Sequence, residues 1–183
     1  MDPRYEPTGD SAVTWREASV ADSAAAAEIN IRSLQESFAG ALPRPGDLSV
    51  ERRAAMFRRR FDAAFYRMYI AEAPGRGPVG FVDVGRPRDA RWNCDAELYA
   101  IYVLKRYQGS GVGRRLFGLA REAVLAAGLE SMYLIALQDN PYRAFYERLG
   151  GRQLAQVPAG AVPGQDAHVI YAWLELREPA SAA

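Results

Sequence analysis

The sequence predicts an α/β (α+β) fold, one mixed sheet with helices packed on it, built as a single domain. Three observations predict it. Apolar spacing switches repeatedly between steps of three and four and steps of two, so helical and extended segments interleave along the chain. The segment ELYAIYVL, Glu97–Leu104, is aromatic and β-branched on both faces, as a strand covered on both sides requires. That strand runs directly into a glycine-rich turn and a long amphipathic helix. With 183 residues the chain can build one substantial core, and not comfortably two.

The elements follow in order. Val13–Glu17 is a short strand, and Asp22 is placed to N-cap an alanine-rich helix reaching Phe38. The stretch from Phe38 to Leu48, with Gly40, Pro43, Pro45 and Gly46, must be a loop. Ser49 caps a second helix whose Val50, Ala54, Phe57, Phe61, Ala64 and Phe65 form one apolar face. Arg52, Arg53, Arg58, Arg59 and Arg60 lie mostly off that face, as a solvated helix surface would. Tyr69–Glu72 and Val79–Gly85, separated by PGRGP, read as paired strands. After the Glu97–Leu104 strand, Val112, Leu116, Leu119, Ala120, Ala123, Val124 and Ala127 line one side of a helix that Gly128 closes. Met132–Leu137 is a strand, and Pro141–Leu149 is a short helix capped by Asn140. Gln153–Val157 and Val169–Leu176 complete the sheet. Residues 12–177 therefore form the domain, with 1–11 and 178–183 as flexible ends.

Composition excludes several chemistries. Twenty-two arginines and one lysine balance 22 acidic residues at a net charge of +1, without the basic excess of a nucleic-acid-binding surface. One cysteine, Cys94, and one histidine, His168, cannot build a Cys/His zinc site, and no metal is expected. His168 would be the only base open to a Ser-His-Asp or Cys-His triad; its place at the start of the last strand reads instead as a partly exposed strand-edge residue. Cys94 reads as an inert packing residue. No stretch approaches the roughly 20 apolar residues that span a bilayer, and the N-terminus lacks a signal-peptide pattern, so no membrane partner and a cytoplasmic location are expected.

The sharpest feature is Gln108, Gly109, Ser110, Gly111, Val112 and Gly113, set between the buried strand and the helix. A glycine turn at a helix N-terminus presents free N–H groups and the positive end of the helix dipole, which suits a pyrophosphate. The dinucleotide fingerprint fails because Arg114 stands where its third glycine belongs, and the P-loop fails because no lysine follows.

The remaining pattern resembles the acyl-CoA-binding segment of the GCN5-related N-acetyltransferase (GNAT) superfamily, Gln/Arg-x-x-Gly-x-Gly/Ala, with Gln108, Gly111 and Gly113 at its positions and Val103 and Tyr107 in the typical lead-in. A second segment, NPYRAFYERLGG from Asn140 to Gly151, is similar to the family's next motif, in which an Asn follows a strand and a Phe-Tyr pair precedes Leu-Gly. The resemblance covers about Val13 to Leu176 and implies a mostly antiparallel sheet of about seven strands with about four helices.

It also implies chemistry: acetyl transfer from acetyl-CoA to a primary amine by direct attack in a ternary complex. Ile101, Tyr102 and Val103 would pair with the pantetheine arm, the Val103 N–H facing the thioester oxygen, while Gln108, Gly109, Ser110, Gly111, Val112, Gly113 and Arg114 hold the pyrophosphate. Asn140 and Tyr146 belong to the same cofactor site. Arg114 or Arg115 would either reach a ribose phosphate or stand exposed. Tyr146 is the candidate acid for the departing thiolate, against a reading as a core aromatic beside Phe145. Glu97 lies six residues before Val103, and even spacing places both on one face; it is either the general base or a ligand for a cationic acceptor, exposed at the strand's solvent end and paired with an arginine. The acceptor, a small-molecule amine or a protein N-terminal or lysine amine, would enter between the first two helices and the loop Phe38–Leu48, beside Tyr99. A sensor module of the same fold, binding acyl-CoA without turnover, is the alternative. The apolar last strand, were its edge free, would favour a homodimer.

Overall fold

The computed structural model describes residues 13–37, 49–161 and 166–177; the expected flexible ends and the loop Phe38–Leu48 lie outside the described residues. Seven strands form one sheet in the order β1-β2-β3-β4-β5-β7-β6. In chain order the elements are β1 (Thr14–Glu17), α1 (Ser23–Ser37), α2 (Val50–Arg60), β2 (Tyr66–Ala73), β3 (Gly77–Gly85), β4 (Ala96–Val103), α3 (Val112–Ala126), β5 (Met132–Leu137), α4 (Arg143–Arg148), β6 (Arg152–Val157) and β7 (His168–Trp173). Every neighbouring pair is antiparallel except β4 with β5.

Successive strand residues point to opposite faces, and β3 displays the two layers directly. Phe81 meets Phe57 of α2 edge to face, with ring centres 5.4 Å apart, while a side chain at Gly80 would meet Leu116 of α3. Helices α1 and α2 thus cover one face and α3 the other. Both layers feed a single large core that includes Ile29, Phe57, Met68, Val82, Leu116 and Val124.

Local chemistry sets the ends of these elements. Ser49 accepts the Arg52 N–H and caps α2 as its position in the sequence predicts. Asp22 does not cap α1: Ser19 and Asp22 form a capping box around a preceding 3-10 turn, Val20–Asp22, and the Asp22 carboxylate binds Arg16. Helix α2 ends at Arg60, earlier than its apolar spacing suggests, and leaves Ala64 exposed. Gly128 closes α3 in the left-handed conformation, φ 74°.

Two expectations about the last strand are corrected. β7 is an interior strand between β5 and β6, so its apolar sequence is covered within the chain, and the free-edge argument for a homodimer falls. His168 is correspondingly buried rather than strand-edge, with its Nδ1 3.0 Å from the Asp166 carbonyl.

β4 carries a bulge. Its register against β3 passes from Asp83–Ala100 to Val84–Leu98, leaving Tyr99 as an extra residue in β4.

Candidate functional site: a split sheet above a glycine turn

The parallel pair β4 and β5 is joined only at Ala96–Met132 and Glu97–Tyr133; beyond those rungs the strands splay. The wedge between them opens into a cavity of about 530 Å³, walled by Tyr99–Val103 on one side and Leu134–Leu137 on the other. Backbone alternation decides what β4 offers it. Antiparallel partners alternate between pairs that exchange hydrogen bonds and pairs that do not. The Leu104 N–H donates to the Val79 carbonyl at 2.9 Å, so by that alternation the amides of Val103 and Ile101 face away from β3, toward the split. Tyr102, expected alongside them, directs its backbone to Phe81 and presents only its side chain to the cavity.

The Gln108 side-chain amide donates to the Val103 carbonyl at 2.9 Å and ties the end of β4 to the turn below it. In that turn Gly109 and Gly111 adopt φ values of 75° and 89°, a region that L side chains rarely enter. A Cβ at either would meet nothing within 4 Å, so the turn is a bare concavity. The first helical bond of α3 runs from the Arg115 N–H to the Gly111 carbonyl, which leaves the Val112, Gly113 and Arg114 amides without an intrahelical acceptor. Gly109, Gly111, Gly113 and Arg114 line the cavity. Ser110 and Val112 contribute no side chain to it: the Ser110 hydroxyl donates to the Tyr107 carbonyl, and Val112 is buried in the core. Arg115 turns away to Glu122. Open backbone donors at a helix N-terminus, beside an arginine, fit the pyrophosphate of a coenzyme A thioester.

Asn140 and Tyr146 also line the cavity. The Asn140 side chain accepts the Tyr142 N–H at 2.8 Å, so it shapes the approach to α4 and does not cap the helix from the position expected. Tyr146 is 8% exposed, and its ring packs against Phe145 and Tyr171. Burial pushes its phenol above the ordinary tyrosine value, and the nearby Tyr102 phenol adds to the rise, opposed by a hydrogen bond with Asn140. Tyr146 is therefore both a core aromatic and a wall of the cavity, holding its proton firmly.

The sequence profile described as the Acetyltransferase (GNAT) family matches residues 31–151, which run from the second half of α1 through the split and the glycine turn to the end of α4. This chain belongs to the GNAT family of acetyltransferases. It is 32% identical over 89 residues to the uncharacterized N-acetyltransferase YuaI of Bacillus subtilis, a match covering 49% of this chain; the chain spans about half the length of that curated relative, 51%. Among solved structures, yncA of Salmonella typhimurium, determined with its cofactor acetyl-CoA, superposes with a TM-score of 0.69 at 23% identity, covering 94% of this chain and 99% of that one. The PaiA N-acetyltransferase of Thermoplasma acidophilum, determined in complex with coenzyme A, gives a TM-score of 0.67 at 18% identity and covers 87% and 98%. These likenesses bear out the mostly antiparallel seven-stranded GNAT fold.

Of the two expected catalytic residues of this GNAT chain, Glu97 is not brought to the cavity. Glu97 is fully buried and its carboxylate is saturated: it accepts the Arg88 N–H, the Arg88 guanidinium and the Tyr133 hydroxyl. The bulge at Tyr99 is the physical reason, because one extra residue reverses the alternation on which the shared face with Val103 depended. Its reading as an arginine-paired residue holds for the pairing but not for the exposure.

The arginine-rich surface of α2 is also less solvated than its sequence suggests. Arg60 reaches back to the buried Asp83, with Nη1 2.5 Å from Oδ2, and Tyr66 donates to the same oxygen. Burial raises the Asp83 carboxyl to about 6, with Arg60 opposing the shift. The Arg60 and Arg88 guanidinium groups lie 4.5 and 4.9 Å from the Tyr99 ring centre, so cations frame this wall of the cavity. Cys94 is a partly buried packing residue: burial raises its thiol, which donates to the Trp92 carbonyl. Among the described residues, no group of three His, Cys, Asp or Glu side chains could hold a metal ion, and no helix is long and apolar enough to cross a membrane.

Sequence reading missed Asn30, Ser33 and Leu34 of α1, of which Ser33 and Leu34 line the cavity. Their signal was present in EINIRSLQ, where two polar residues three apart share the apolar face of a helix.

Proposed function

We propose that this chain moves an acetyl group from acetyl-CoA to a primary amine by direct attack in a ternary complex. The observation that carries the reading is the split between β4 and β5, which leads from the glycine turn past the outward amides of Ile101 and Val103 to Tyr146. When bound, acetyl-CoA supplies an acyl group activated as a thioester. The amides from Gly109 to Arg114 hold the pyrophosphate, and the arginine side chain adds charge. Ile101 and Val103 offer the pantetheine arm the hydrogen bonds of a missing strand. The Val103 N–H, held by the Gln108 bond on its own carbonyl, donates to the thioester oxygen as negative charge develops there; one such donor is worth about 3 kcal/mol. Tyr146 donates its hydroxyl proton toward the departing sulfur.

No carboxylate lines the cavity among the described residues, so the amine enters neutral and its surplus proton passes to solvent. Glu97 then holds Arg88 and Tyr133 in place and takes no proton from the substrate. The yncA structure with its cofactor acetyl-CoA is consistent with the donor, and the acceptor is a small-molecule or protein amine.

The test is thiol release from acetyl-CoA across a panel of amines, for the wild type and Tyr146→Phe. Amine-dependent release, reduced in the variant, supports transfer. Tight coenzyme A binding with no amine consumed leaves only a binding module of the same fold.

A further inference from the structure

Two polar atoms on α1 are buried and unpartnered: Asn30 Oδ1 and Ser33 Oγ, each on a residue 3% exposed. Leaving such groups without a partner costs stability, and native structures seldom retain them without a reason. Three residues apart on one helix, they share a face. Ser33 lines the cavity beside Leu34, on the helix that packs against β4. The Asn30 amide is a hydrogen-bond partner of the Tyr102 phenol, which fixes that side chain with its carbonyl oxygen free. The Tyr102 phenol in turn neighbours that of Tyr146. Ser33 thus shares the cavity with the proposed acid, while Asn30 stands behind it against the Tyr102 phenol.

We infer that Ser33 Oγ, backed one turn behind by the Asn30 amide, is the docking subsite for the acceptor amine, receiving its N–H and aiming its lone pair along the split. This inference rests on the acetyl-transfer reading above. An amide oxygen is an acceptor only, and a hydroxyl can accept as well as donate, so the pair suits an N–H donor. Both oxygens are uncharged, the Arg60 and Arg88 guanidinium groups on the Tyr99 wall are ion-paired with Asp83 and Glu97, and no carboxylate among the described residues lines the cavity to hold a second ammonium. A neutral receptor in such a lining favours a compact monoamine over a polyamine.

The subsite makes a prediction of opposite sign for stability and function. Ser33→Ala removes an unpaired buried hydroxyl, so the protein's melting temperature should stay level or rise, whereas a structural hydroxyl would lower it on removal. Coenzyme A affinity, measured by titration, should be unchanged. The KM for the best monoamine should rise about tenfold, the loss of one hydrogen bond to a reacting group. Ser33→Thr, which keeps the hydroxyl, should retain most of the wild-type KM, and Asn30→Asp should shift preference toward cationic amines such as spermidine. An unchanged amine KM in Ser33→Ala, with the wild type active, overturns the subsite and leaves acetyl transfer standing. A lower melting temperature with the amine KM intact assigns Ser33 to structure alone. Spermidine as the best wild-type acceptor overturns the selectivity. If no amine accelerates thiol release from the wild type, both readings fall.

Discussion

Glu97 and Val103, six residues apart on β4, project from opposite faces of the sheet. The bulge at Tyr99 lies between them and reverses the alternation of every residue on its far side. Glu97 is thereby committed to Arg88 and Tyr133, while Val103 lines the cavity.

Glu97→Gln should therefore act on stability and not on catalysis. The amide cannot accept from Arg88 and Tyr133 as a carboxylate does, and a cost of about 1–3 kcal/mol is expected, moderated because the Arg88 side chain is half in water. Urea unfolding measures that loss. The kcat should stay within about threefold of wild type, and a drop of two orders of magnitude with a well-folded variant would restore Glu97 as the base.

Tyr146→Phe separates the proton donor from the cavity wall. The ring remains to pack on Phe145 and Tyr171, so coenzyme A affinity should hold. The kcat should fall about 100-fold, the lower end of what a positioned acid contributes. Since burial raises the phenol, the wild-type rate should show no decline from Tyr146 ionisation up to pH 10. Rate profiles of the two proteins between pH 6 and 10 check both points.

The glycines of the turn divide into two kinds. At Gly111 the obstacle is conformational: φ is 89°, so Gly111→Ala should cost about 1–2 kcal/mol or force the turn to rearrange, raising the KM for acetyl-CoA. At Gly113 it is steric, because a Cβ would sit 3.2 Å from the Phe145 ring. Gly113→Val should displace Phe145 and with it the neighbouring Tyr146, lowering kcat as well as donor affinity. Steady-state kinetics with acetyl-CoA varied would distinguish the two patterns.

The buried Asp83 gives stability a pH dependence of known sign. Its folded value, about 6, lies above the ordinary 3.8, so the folded state binds the proton more tightly than the unfolded chain. That contribution is complete below pH 4 and is lost as pH rises from 4 through 6, amounting to roughly 3 kcal/mol at most. Asp83→Asn should remove this slope. Subtracting its unfolding free energies from those of the wild type between pH 4 and 7 isolates the effect, and a flat difference would refute it.

Much of this was legible in the sequence. Period-two apolar segments located all seven strands, and the glycine turn with NPYRAFYERLGG located the cavity. These features are local, set by spacing and by backbone freedom. What escaped is non-local. The bulge at Tyr99 depends on β3 beside it, and the interior place of β7 depends on β6 folding back across it. The Arg60–Asp83 pair joins a helix surface to a strand 23 residues on. Ser33 and Asn30 take their meaning from the cavity and the Tyr102 phenol beside them, which the spacing of their own helix does not reveal.

The wedge between β4 and β5 gives an interior strand the unpaired amides of an edge. Exposed edges invite other chains to add to the sheet, which proteins ordinarily prevent with charge, proline or a covering element. Here the edge lies at the bottom of a cleft flanked by strands on both sides, with room for one thin extended guest and none for a second sheet. The same geometry that shields the protein from aggregation thus sorts ligands by cross-section before any side chain reads their chemistry.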